Sequence, residues 1–161
     1  MEKAKFLETI RNERARWDAL LAQVDEGQMT VPGIVGAWSV KDLIAHVTWS
    51  EREMVGMLRE RALVGSDLWN LALDARNVAI YEENRGRTLG EVRAESQAIF
   101  EGLIRLLEQL PEADLNDARA FPGMPTDWQP WDVIAGNTYR HYRDHILDVR
   151  AWLETHKDHE S

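Results

Sequence analysis

The chain has 161 residues, 44% hydrophobic and 29% charged, with a net charge of −9 and no cysteine. That length fits one domain with a sizeable buried core, and the missing thiols exclude disulfides, thiolate ligands and a cysteine nucleophile. The acidic balance predicts no nucleic-acid partner, because phosphate binding needs a basic face.

From the N-terminus onward the pattern is helical. Residues 3 to 24 carry Phe6, Leu7, Ile10, Trp17, Leu20, Leu21 and Val24 at three-and-four spacing with charges between them. A loop with Pro32, Gly33 and Gly36 follows, and Ser39 with Asp42 has the spacing of a capping box at the start of the next helix. That helix carries Val40, Leu43, Ile44, Val47, Met54, Met57 and Leu58 on one stripe. After Gly65 and Ser66, residues 67 to 84 predict a shorter helix, and Thr88 with Glu91 opens a long one as a second capping box. Residues 111 to 129 form a long connection, and Pro130 sits at the first turn of a last helix running to about 156. No alternating strand pattern occurs, so the expected fold class is all-α. No apolar run approaches a membrane span and the first residues lack a signal-peptide core, so a cytoplasmic protein with no membrane partner is expected.

An internal echo organises these elements. "PGIVGAWSVKDLIA" (32–45) and "PGMPTDWQPWDVIA" (122–135) align without a gap and share Pro, Gly, Trp, Asp, Ile and Ala. The echo predicts helix–loop–helix halves at about 1–62 and 88–156 within a single domain over 1–161, joined by the connector helix at 67–84. A connector of that length spans about 25 Å, enough to return the chain to the end where the second helix began. The third long helix then runs parallel to the second, giving an up-down-down-up bundle.

Chemistry concentrates in "NTYRHYRDHILDVRAWL" (137–153), where His141 and His145 lie four apart on the inward stripe of the last helix. At 1.5 Å per residue, His46 lies about 10 Å from the start of its helix, and the pair about 16 and 22 Å along theirs. Only an antiparallel arrangement of these two helices brings the three imidazoles to one level. By themselves the residues leave two readings open: arms of a metal site, or polar residues of the core. "HYRDH" lacks the glutamate of a zinc-protease motif, and no phosphate loop or nucleophile elbow occurs. His156 and His159 fall in the polar tail and are expected in solvent. Glu53 is the candidate general base, sharing the side of the helix that carries His46, with a surface ion pair as its plainer role. Asp42 is a candidate partner for a ligating histidine or a purely N-terminal capping residue. Seven tryptophans are many for this length; Trp49 and Trp69, with Asn70, Asn137 and Tyr139, are candidates to line a pocket.

"WSVKDLIAHVTWSE" together with "NTYRHYRDH" resembles the DinB superfamily of helical bundles, and "SDLWNLALDARNVAIYEENRGRTLGEV" resembles its ClbS/DfsB branch, in which a D-x-W-N segment opens the connector. The resemblance spans nearly the whole chain. It implies the up-down-down-up bundle and a divalent metal (zinc, nickel or iron) held by His46, His141 and His145. It further implies a small-molecule ligand, detoxification chemistry and a homodimer. Superfamily relatives include transferases and isomerases that use a low-molecular-weight thiol. The ClbS branch is named for a protein that hydrolyses a cyclopropane-bearing genotoxin, and some of that branch lack the three histidines. Two functions are therefore expected as alternatives: a metal-dependent enzyme on a small electrophile, or a metal-independent small-molecule binding and resistance protein.

Overall fold

The computed structural model describes residues 1–157. The described α-helices are α1 (Lys3–Leu21), α2 (Val40–Glu60), α3 (Leu73–Asn84), α4 (Leu89–Gln109), α5 (Glu112–Leu115), α6 (Pro130–Gly136) and α7 (Tyr139–Lys157), with no strand among the described residues. Both capping boxes form. Ser39 Oγ accepts the Asp42 N–H while Asp42 accepts the Ser39 N–H, and Thr88 and Glu91 do the same for α4. Each box satisfies two of the backbone donors that a helix start leaves unpaired. Asp42 is thereby committed to capping.

Side-chain contacts fix the directions of the four long helices. Lys41, at the start of α2, donates to the carbonyls of Arg85 and Arg87 just before α4, and Arg52 pairs with Glu95 further along, so α2 and α4 run parallel. Lys3 donates to the carbonyls of Glu108 and Leu110, which sets α1 antiparallel to α4. Phe6 meets Tyr139 and Glu13 meets Arg143, so α1 and α7 run parallel. The bundle is up-down-down-up, as the echo predicts.

The core is apolar except at its middle. Phe6, Ile10, Trp17, Leu43, Met57, Leu103, Leu107 and Val149 are almost completely buried. The predicted stripe of α1 turns polar at Arg14, which is only 4% exposed. Its guanidinium donates to Glu51 Oε2 at 2.6 Å and to Ser96 Oγ at 2.7 Å, and the Tyr142 hydroxyl donates to the same Glu51 oxygen at 2.6 Å. Burial works against the Arg14 charge, yet Glu51, Tyr142 and Asp18 hold it protonated above its usual range. Complete burial pushes the Glu51 carboxyl up, against the pull of Arg14 and Tyr142. These four residues come one each from α1, α2, α4 and α7.

Two predicted helices are divided. Residues 130–156, expected as one helix, break at Asn137 and Thr138 into α6 and α7. The backbone N–H groups of Asn137 and Thr138 bond to carbonyls three residues back, and their side chains donate to the carbonyls of Val133 and Ile134. Such local side-chain bonds compete with the regular helix ladder and tighten the turn. The connector likewise starts as a 3-10 turn at Asp67–Asn70, capped by Ser66 Oγ, and becomes α-helical only from Leu73 after two extended residues. His156, expected in solvent, is half-buried on α7 with its ring 4.1 Å from Trp152, while His159 lies outside the described residues.

Removing one partner of a buried ion pair leaves an uncompensated charge and costs about 3–5 kcal/mol, whereas an exposed pair contributes about 0–1 kcal/mol. Urea unfolding should therefore show Glu51→Ala losing several times more stability than Glu26→Ala, which breaks only the exposed pair with Arg93.

Candidate metal centre

His46 lies in the second turn of α2, and His141 and His145 occupy one face of the first turns of α7. Because α2 and α7 run antiparallel and are locked together one turn away by Glu51 and Tyr142, the three rings meet. His141 Nε2 lies 3.0 Å from both His46 Nε2 and His145 Nε2, and all three donor atoms fall within 4.8 Å of one another. The spacing is close to the roughly 3.3 Å expected between nitrogens that share a tetrahedral zinc at 2.0–2.1 Å each.

Protonation favours the same reading. Burial, with His145 and Arg76 nearby, pushes the His46 imidazole down to about 4. Burial and the two other histidines push His141 well below its usual value. Both rings are therefore neutral at pH 7. His145 Nδ1 lies 2.9 Å from Asp148 Oδ2, a carboxylate that orients the ring, and His145 Nε2 faces the other two histidines. His46 Nδ1 and His141 Nδ1 are buried and bond to none of the described residues. Three converging Nε2 atoms cannot all be satisfied through one another, since a single shared proton serves one contact at a time. A cation meeting three lone pairs can satisfy them. The donor set suits zinc, nickel or iron, and three ligands leave coordination positions open.

The histidines border a cavity of about 360 Å3, whose wall includes Trp49, Trp69, Arg76, Asn137 and Asp144. The indoles of Trp49 and Trp69 sit 5.0 Å apart, tilted by 48°. Of the residues predicted to line a pocket, Trp49, Trp69 and Asn137 border this cavity. Asn70 instead faces an adjoining chamber, and Tyr139 is buried with its ring edge-on to Phe6 in the α1 interface. Glu53 does not border the histidine cavity. Its Oε1 accepts the Ser66 N–H at 2.6 Å and anchors the turn that carries Trp69. Gly65 belongs to the same anchor, for a Cβ there would stand 2.8 Å from the Trp69 ring. Three residues at the site were not singled out by the sequence: Asp148, Arg76, and Trp38, whose ring lies 5.0 Å from that of His46. Asp148, three residues after His145 on the same helix face, was the one a spacing argument could have found.

The family profile of the DinB superfamily matches residues 9–149, and the chain belongs to that superfamily. Among solved structures it is similar to DfsB, described as a sibling lethal factor precursor, with a TM-score of 0.82 and 16% identity over 97% of each chain. It is also similar to a Streptococcus pneumoniae protein, with a TM-score of 0.77 and 15% identity over 96% of this chain and 91% of that one. A third is the colibactin self-resistance protein ClbS, with a TM-score of 0.76 and 14% identity over 93% and 94%. No curated protein matches the sequence.

The ClbS structure corrects one expectation. It is a complex with a double-stranded DNA, so the exclusion of nucleic acid drawn from the net charge of −9 does not hold for this fold. Net charge averages over the whole surface, while phosphate contacts need only a local group of cations. No described helix is long and apolar enough to cross a membrane.

The His46 shift sets a pH dependence. A histidine whose folded pKa of about 4 lies below its usual value of 6.5 binds fewer protons folded than unfolded between those values. Its stabilising contribution is complete above 6.5 and is lost as pH falls through 4. Metal-free protein should thus lose denaturant resistance across that interval, and His46→Gln should flatten the loss, as read by urea midpoints at constant ionic strength.

Proposed function

We propose that this protein is a metal-dependent enzyme acting on a small electrophilic molecule, by hydrolysis or by transfer of a low-molecular-weight thiol. The observation that carries the reading is the convergence of three imidazole Nε2 atoms on the wall of a cavity large enough for a small molecule. His46, His141 and His145 would hold the ion, and membership of the DinB superfamily supports that assignment. A divalent ion held there supplies Lewis acidity, which lowers the pKa of a water or a thiol and polarises an electrophile.

The protein's own residues do the remaining work. Asp148 holds His145 in the tautomer and orientation that a ligand needs. Trp49 and Trp69 wall the cavity with aromatic surface, which strengthens electrostatic interactions by excluding water. Asp144 is the carboxylate that borders the cavity, and in the place first assigned to Glu53 it accepts the proton released by the nucleophile.

Similarity of fold to the self-resistance protein ClbS favours a second reading, in which the same cavity binds a small toxic molecule without a metal. Elemental analysis separates the two. Under the enzyme reading the purified or zinc-reconstituted protein holds about one equivalent of metal, His141→Ala holds none, and Asp148→Ala binds about 10–100-fold more weakly. Turnover of electrophiles with water or thiols is then lost with His141. Absence of metal from wild type after reconstitution with zinc, nickel or iron would transfer the function to the binding reading.

A further inference from the structure

The histidine cavity does not end at the imidazoles. Trp69 and Asn137 also border a second chamber of about 570 Å3, whose wall is largely apolar and includes Met54, Met57, Leu63, Trp128 and Val133. Methionine side chains adapt to ligands of irregular shape. The one carboxylate bordering this chamber, Asp67, is exposed at its edge.

A cation stands at the shared wall. Arg76, on α3, is half-buried, borders the histidine cavity and lies with its guanidinium 4.7 Å from the centre of the Trp69 ring. Its neighbours along the chain are neutralised, Arg85 by Glu82 and Arg87 by Glu95. Arg76 enters none of the ion pairs found among the described residues. Acidic side chains outnumber basic ones 28 to 19, and Asp144 borders the same cavity without pairing with Arg76, so this arginine is placed for an anion from outside. Stacking on Trp69 orients the planar fork while leaving its N–H edges available.

We propose that the two cavities form one site for an amphipathic anion, with the apolar body in the Met54–Met57–Trp128 chamber and the anionic group on Arg76. The proposal rests on the functional reading above for its placement of the reacting group beside the histidines, but ligand binding itself needs no metal.

Octanoate and 1-octanol are suitable probes, because they share an apolar chain and differ in the charge of the head. Each is titrated into EDTA-treated and zinc-loaded protein while the indole N–H resonances are followed by NMR, with Trp69 and Trp128 assigned through Trp→Phe variants. Both probes shift Trp69 and Trp128, and octanoate binds about tenfold more tightly, the scale of one charge-assisted contact. Arg76→Gln abolishes that preference and leaves octanol affinity unchanged, with or without metal. The proposal is overturned by a preference that survives Arg76→Gln, by one that vanishes when the metal is stripped, by shifts confined to other indoles, or by no binding of either probe. Protein that takes up no metal yet shows the Arg76-dependent preference sinks the enzyme reading alone.

Discussion

A single carboxylate oxygen sits at the centre of this bundle. Glu51 Oε2, with no solvent around it, receives both the Arg14 guanidinium and the Tyr142 hydroxyl, and Arg14 reaches on to Ser96. Apolar packing alone tolerates a helix sliding by a turn, because leucine and valine fit many holes. A buried charge does not, since a slip would strand Arg14 or Glu51 without a partner. The network therefore fixes the relative heights of all four long helices at once.

The histidine cluster depends on those heights. His46 precedes Glu51 by little more than a turn on α2, and His141 and His145 flank Tyr142 on α7. Tying Glu51 to Tyr142 places the imidazoles opposite one another, at contacts of 3.0 Å that a slip of one residue along either helix would open. The arrangement separates two tasks. The charged network specifies register in a dry core, while the histidines one turn away meet at the wall of a cavity.

Much of this was legible in the sequence, and the reasons are local. Capping boxes at Ser39 and Thr88 announce themselves by spacing, and the antiparallel relation of α2 and α7 followed from residue counts once the connector was read as a return path. The breaks were harder. Asn137 and Thr138 fit a helical pattern, and only their bonds to the preceding turn show that the ladder tightens there. Glu53 was placed on the correct side of α2, but which group a flexible carboxylate meets is decided by the loop packed over it, and Ser66 takes it. Arg14, Glu51, Arg76 and Asp148 read as ordinary charges on amphipathic helices. What distinguishes them is burial, pairing or its absence, and those are tertiary facts.

The two segments matched by the internal echo meet different surroundings in the fold. Gly33 and Gly123 both take a positive φ, at 123° and 91°, and each turn leads into a helix start ninety positions apart, at Val40 and Pro130. The matching tryptophans have parted company: Trp38 lies against the His46 ring, whereas Trp128 borders the apolar chamber. Position 46 carries an imidazole, and its counterpart, Gly136, carries no side chain at all. The two matched turns thus meet different surroundings, the first through Trp38 against a histidine ring and the second through Trp128 at the apolar chamber.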